Sequence, residues 1–508
     1  MYNRLTDDKK RAMTVLVAAL TTLLLLGTVV AQAQSPALPP LAPAGTASGV
    51  GAEDSGAIDA AIETVVGQLV ADALTANLEL DAAAADVAQR LAALDQARAR
   101  YLPALDLSAR YTRASGGRTI EFPVGDLLNP VYATLNQLSG THRLAPVANQ
   151  AIDFQRTHEQ QTDLVLTQPL YDARIAAGRR AAEANAIASG AARTALAGRI
   201  RRDMRAAYYR WLQARAQAGI YTASRDLATE NLRVNRSLLD NGRITPDLVY
   251  RAEADLLEVS QSLLDAANAV RLAQSYVNLL RNAPFDRALP AAAVADTDIV
   301  RLHTTIGARL GLTELQEVAL EQRPELRQLD AVASAAGAGE ALARAAFRPQ
   351  LALQLDGGTQ GTGYGFTSDD RFILASVVLK FSLFSGGADE AGLAAAHAAL
   401  RAARAQRAAE ELQVRLQVEQ ALSDLEVAEA SLGTAAKRVE AAGGAFRIAS
   451  RKRDLGQVNQ AEFIDARRAL TDAELNQNIT RFAALSHLAE LEYALGSHTT
   501  NLPPESQP

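Results

Sequence analysis

One order of segments occurs twice along this 508-residue chain: helix, strand, strand, very long helix, tight turn, shorter helix. In the first copy an alanine-rich helix ends at Arg100-Tyr101-Leu102-Pro103 and passes into a strand over 104–112. In the second, the matching helix ends at Ala346-Phe347-Arg348-Pro349 and passes into a strand over 350–356. Each copy then offers a returning strand, 164–171 and 377–384, followed by an unbroken helical run. Each copy spans about 180 to 220 residues, far more than the roughly 20–50 of a solenoid unit. The chain is therefore one architecture built twice, and Pro103, Pro169 and Pro349 mark its transitions between strand and helix.

Hydrophobic residues make up 48% of the chain and aromatics only 5%, with alanine supplying much of the apolar content. Alanine leaves thin cores, so long helices must pack closely side by side, as in a bundle or a helical barrel. A net charge of −6 gives no electrostatic reason to expect nucleic acid. There is no cysteine, which removes disulfides, thiol catalysis, Cys-based zinc sites and the lipidated cysteine of a bacterial lipoprotein.

The first 33 residues read as a signal peptide. Lys9, Lys10 and Arg11 precede an apolar stretch over 12–30 and a small-x-small cleavage site at Ala31-Gln32-Ala33; a membrane anchor is the other reading of that stretch. Residues 34–57 form a leader rich in Pro, Ala and Gly. The repeats span 58–283 and 313–497, with a linker over 284–312 and a tail over 498–508.

Leu105, Leu107, Ala109 and Tyr111 alternate with Asp106, Ser108, Arg110 and Thr112. Leu351, Leu353 and Leu355 alternate likewise, and the last strand carries Ile373, Ala375, Val377, Leu379, Phe381 and Leu383 on one face. Such strands suit a membrane β-barrel, and a half-buried strand of a soluble sandwich would look the same. Four strands in two hairpins supply no second sheet for a sandwich, and they cannot close a barrel alone. Three copies would supply twelve strands and remove every edge.

The helical runs over 173–240 and 388–454 are rods of roughly 100 Å, too long and too charged to be membrane spans. Asn241-Gly242 ends the first rod, and Thr245-Pro246-Asp247 starts the next helix. Gly456 ends the second rod, and Asn459 with Glu462 makes a capping box. Each copy is thus a long helical hairpin whose tip lies far from its strands. Tyr208, Tyr209 and Trp211 are expected to pack between helices.

At this level the chain resembles the TolC family of outer-membrane efflux and secretion channels. The resemblance rests on Tyr101-Leu102-Pro103-Ala104-Leu105, Thr167-Gln168-Pro169-Leu170-Tyr171-Asp172, Arg323-Pro324-Glu325-Leu326 and the two tips, Gly242 to Leu248 and Leu455 to Ala466. It implies a mainly α protein with a small β contribution: a homotrimer with a twelve-stranded barrel in the outer membrane of a Gram-negative bacterium and a large helical part in the periplasm. It implies as partners outer-membrane lipid, a periplasmic adaptor docking near the tip turns at Gly242 and Gly456, and an inner-membrane pump of the RND, ABC or MFS type. Glu462 and Asp465 match acidic positions of the family's constriction; at i and i+3 they share a helical face, and a trimer would gather six carboxylates into a cation-favouring ring. Glu462 read only as a cap, and Asp465 only as a solvated charge, are the alternatives.

The chain departs from the family where a closed-state latch lies. Arg453 and Val458 replace a tyrosine and an arginine, and Asp247 and Leu248 replace a threonine and an aspartate. Arg453 is therefore expected to pair with Asp247 or Asp240. No catalytic constellation, metal site or cofactor motif assembles; His158-Glu159 lacks the second histidine of a metalloprotease helix. The chain is not expected to be an enzyme, and a soluble periplasmic scaffold or adaptor-like protein is the competing class.

Overall fold

The structure, a computed structural model, describes residues 62–153, 157–292, 311–363, 370–455 and 460–496. The signal peptide, the leader, most of the linker, Gly456 to Asn459 and the tail lie outside these. The first repeat runs α1 (Ile62–Ala76), α2 (Leu78–Ala99), β1 (Ala104–Arg113), β2 (Thr119–Phe122), α3 (Val124–Ser139), β3 (Gln150–Asp153), β4 (His158–Tyr171), α4 (Ala173–Asp240) and α5 (Pro246–Leu280). The second runs α6 (Leu312–Gln322), α7 (Pro324–Arg344), a 3₁₀ turn (Ala345–Phe347), β5 (Gln350–Gly361), β6 (Arg371–Lys380), α8 (Ala388–Asp454) and α9 (Gln460–Leu495).

β1, β4, β5 and β6 form one antiparallel sheet in that order. The helices that continue the strands pack in the same order, α2 on α4, α4 on α7 and α7 on α8. The sheet and the helical wall are thus one continuous surface, four elements wide. Pro169 sits in β4 where the register with β5 shifts, between Pro169 and Tyr171. Its missing N–H costs nothing there, because β1 begins at Ala104 opposite Thr167 and leaves no strand to receive it. Pro103 and Pro349 each stand one residue before a strand, as expected.

Local chemistry explains where the rods begin and end. Asp172 caps α4, its carboxylate accepting from the Arg174 N–H at 2.8 Å. At the far end Gly242 takes φ +68°, its N–H reaches the Leu239 carbonyl at 2.8 Å, and the Arg243 N–H reaches Leu238 at 2.9 Å. These are the paired bonds of a Schellman turn, which needs the left-handed conformation that glycine adopts freely. Pro246 then occupies the first turn of α5, where its lack of an N–H is harmless.

The largest core lies midway along α4, where Met204, Tyr208, Tyr209 and Trp211 are buried together with Val66, Leu69 and Leu485. Tyr208 stacks on Trp211 at 5.7 Å and donates to the Pro290 carbonyl at 2.8 Å. Burial pushes the Tyr208 phenol up to about 12 and raises Tyr209 as well, so both stay neutral. The expected packing role of these aromatics holds.

Three expectations need correction. The chain has more than four strands, because β2 and β3 pair with each other inside the first long loop and enclose α3. The strand β4 starts at His158, six residues before its apolar run, since polar residues on it find cross-strand partners. The last strand spans Arg371–Lys380, so Phe381 and Leu383 lie beyond it. The chain turns there through Gly386 and Gly387, at φ +64° and +83°, before α8 begins.

Close approach of strands also fixes one glycine. A Cβ on Gly358 would lie 2.3 Å from the Thr162 carbonyl oxygen and 2.8 Å from the Asp163 Cα, both backbone atoms of β4. Gly358→Val is expected to force β4 and β5 apart at a cost of about 1–3 kcal/mol. The check is thermal unfolding of the purified variant beside the wild type; an unchanged midpoint would show that the two strands separate freely.

Candidate channel wall and periplasmic gate

Directly paired residues of a sheet point to the same side, so the register assigns each face. One face carries Leu105, Leu107, Ala109 and Tyr111 beside Leu164 and Leu166, then Leu353 and Leu355, then Ile373, Ala375, Val377 and Leu379. Leu107, Ile373 and Leu379 are 72%, 84% and 66% exposed, which in water is a costly surface. The opposite face carries Asp106, Ser108, Arg110, Glu159, Gln161, Asp163 and Asp356. These bond across strands, Ser108 to Asp163 at 3.0 Å, Arg110 to Gln161 at 2.9 Å and Gln360 to Glu159 at 2.9 Å. β6 departs from this polar face with Phe372, Leu374 and Val378. An apolar exterior and a hydrogen-bonded polar interior are the two surfaces of a water-filled barrel.

The outer edges of β1 and β6 have no strand partner among the described residues. Lipid does not tolerate such unpaired edges. Exposed Tyr101, Leu102, Leu170, Tyr171 and Phe384 lie at its helix-proximal rim, where interfacial aromatics belong. None of the described helices is long and apolar enough to cross a membrane.

At the other end of the rods, Phe463 organises the second tip. It is buried, packs against Phe446 at 5.6 Å between ring centroids, and holds the Arg453 guanidinium 4.1 Å over its ring. Phe463, Ile464 and Arg467 face inward, which leaves Glu462 and Asp465 on the exposed side of α9. The helix thus holds the two carboxylates on one accessible face. Asp247 opens α5, with its carboxylate accepting from the Thr245 hydroxyl, and Asp240 ends α4. Arg453 also lies near enough to α4 to act on Glu230, whose carboxyl is held below its usual range first by its bond to Arg233 and further by Arg453. Gly456 lies outside the described residues.

Sequence reasoning missed the polar group behind the tip. Arg467 on α9 pairs with Asp255 on α5 at 2.6 Å, both almost fully buried, and also donates to the Ser224 hydroxyl on α4. Arg468 adds bonds to Asp255 at 3.5 Å and Glu258 at 2.6 Å. One cluster therefore fastens the second hairpin to both helices of the first. Its members are far apart in sequence and share no spacing motif; the trace was a charged residue on the inward stripe of α5 and of α9. A second cluster holds Tyr493 between Arg202 and Arg323, 4.6 and 4.7 Å from its ring. Its hydroxyl donates to Glu325 at 3.1 Å.

A two-faced sheet continued by a wall of long helices, with exposed carboxylates at the far tip, is the architecture of outer-membrane channel proteins. The chain belongs to the outer membrane efflux protein family, whose model matches residues 69–281 and 315–497. It is 34% identical over 189 residues to protein CyaE of Bordetella pertussis, a match over 37% of this chain and 40% of that protein. The match thus spans less than half the length of that curated relative. The fold is shared with the CmeC outer membrane channel of Campylobacter jejuni (TM-score 0.71, 16% identity, 91% of this chain and 94% of that one). It is shared equally with VceC of Vibrio cholerae (0.69, 18%, 85% and 96%) and the open-state MtrE channel of Neisseria gonorrhoeae (0.67, 20%, 85% and 89%).

Proposed function

We propose that three copies of this chain close into one passive exit duct, a twelve-stranded barrel in the outer membrane continued by a helical tunnel across the periplasm. A periplasmic adaptor docks at the hairpin tips around Gly242 and Gly456, and an inner-membrane pump supplies the energy. The observation that carries this reading is the open-edged sheet with an apolar outer face, continuous in element order with a four-helix wall. A soluble scaffold or adaptor-like protein would have no use for that face.

In this reading Glu462 and Asp465 line the periplasmic mouth as an acidic ring, and the Arg467–Asp255 pair sets the position of the helix that presents them. Arg453, anchored on Phe463, serves as the tip latch by reaching Asp247 or Asp240 of a facing hairpin. Purified protein in a planar bilayer is expected to form low-conductance, cation-preferring pores; absence of any conductance would contradict the duct. Arg453→Ala is expected to raise the conductance several-fold, and an unchanged conductance would remove Arg453 from the latch.

A further inference from the structure

Just below the strands, a cavity of about 320 Å³ opens between α2 and α4. Arg90, Gln96, Arg100, Gly178, Arg179 and Asn185 line it, and alanines make up most of the rest. The guanidinium groups are therefore its dominant feature.

Several of the nearby cations are already engaged. Arg98 pairs with Asp95 at 3.1 Å, and the Gln350 carboxamide, oriented with its oxygen inward, accepts from Arg174 at 2.9 Å. The lining arginines are held more loosely. Arg90 meets Asp86 at 3.5 Å and Arg179 meets Glu183 at 3.7 Å, all four side chains well exposed. No carboxylate lies within ion-pair distance of Arg100 among the described residues.

The placement of Arg179 is also unusual for the helix that carries it. A helix N-terminus favours acidic side chains, yet α4 has none in its first turn and carries Arg174, Arg179 and Arg180 near its start. The matching helix α8 begins with Asp389 and Glu390, as the dipole prefers. Stability of α4 thus gives no reason for these cations. The Asp172 carboxylate already caps the helix end, so the field for an anion in this groove comes from the arginines themselves.

The level of the groove says which anion. Arg100 immediately precedes the exposed Tyr101-Leu102 rim, and Arg179 lies within about two turns of the end of β4. The polar headgroup layer extends about 5–8 Å beyond each side of the hydrocarbon core; Arg100 stands at the strand end and Arg179 about 10 Å along α4, so the groove opens within and just beneath that layer. Phosphodiester oxygens match the forked donors of arginine.

We propose that this groove binds the phosphodiester of an anionic phospholipid from the surrounding membrane, with Arg100 and Arg179 as its principal ligands and Arg90 and Gln96 as its lower wall. The site rests on the membrane placement of the barrel. It would tie the rim of the duct to the lipid at the point where strands become helices.

The test is native mass spectrometry of the full-length protein, delipidated in mild detergent and titrated with phosphatidylglycerol. Saturable retention of one lipid per chain is expected. The double variant Arg100→Gln, Arg179→Gln should weaken that retention at least tenfold, and inorganic phosphate at the same concentrations should not displace the lipid. Equal retention by the double variant would overturn the site, and displacement by inorganic phosphate would assign it to a soluble anion instead. The particle mass is read in the same spectra, so a failure of the three-chain duct is distinguishable from a failure of the lipid site.

Discussion

Arg467→Met leaves Asp255 as a buried carboxylate without its main partner, and is expected to destabilise the helical domain by about 3–5 kcal/mol. Asp255 is 3% exposed, so water cannot replace the lost guanidinium without opening the bundle. Arg468, half-exposed and 3.5 Å away, compensates only in part. The same change frees the start of α9, because Arg467 lies one helical turn beyond Glu462 and Phe463. Conductance should therefore rise as stability falls. The double variant Arg467→Met, Asp255→Leu removes both charges and should recover most of the stability, since a buried pair replaced by apolar groups is often neutral. It should not recover the closed conductance, because no directional bond then ties α9 to Ser224 on α4. Thermal unfolding and single-channel recording of the two variants test this together. A single variant as stable as the wild type would show that the pair holds nothing.

Neutralising Glu462→Gln with Asp465→Asn should have the second large effect, on selectivity rather than stability. Both side chains are exposed on α9, so folding should change by less than about 0.5 kcal/mol. Three copies would lose six carboxylates from one narrow level. The preference for potassium over chloride, read from reversal potentials in a salt gradient, is expected to drop by roughly an order of magnitude. An unchanged reversal potential would place the constriction elsewhere on the tips.

Much of this architecture was readable because its signals are local. The rods of α4 and α8 begin and end where expected, since Asp172, Gly242 and Pro246 act through bonds spanning only a few residues. The apolar alternation of β1 and β6 reported the outward face directly. Hidden features depend on partners remote in sequence. The polar half of β4, from His158 to Asp163, forms a strand because Ser108, Arg110 and Gln360 await it on neighbouring strands. Neither β2 nor β3 exceeds four residues, and each is a strand only through the other. In α3 the cause is again non-local: Asn129 and Asn136 hold the backbone of Val147 and Leu144 along the helix. The Arg467–Asp255 pair joins residues 212 positions apart, which no periodicity records.

The most direct test of the shared barrel is the native mass of the particle extracted from outer membranes, with the detergent contribution subtracted. Three chains per particle are predicted, because only a closed ring satisfies the free edges of β1 and β6. A particle of one chain would contradict the duct and leave the apolar face of the sheet without a purpose.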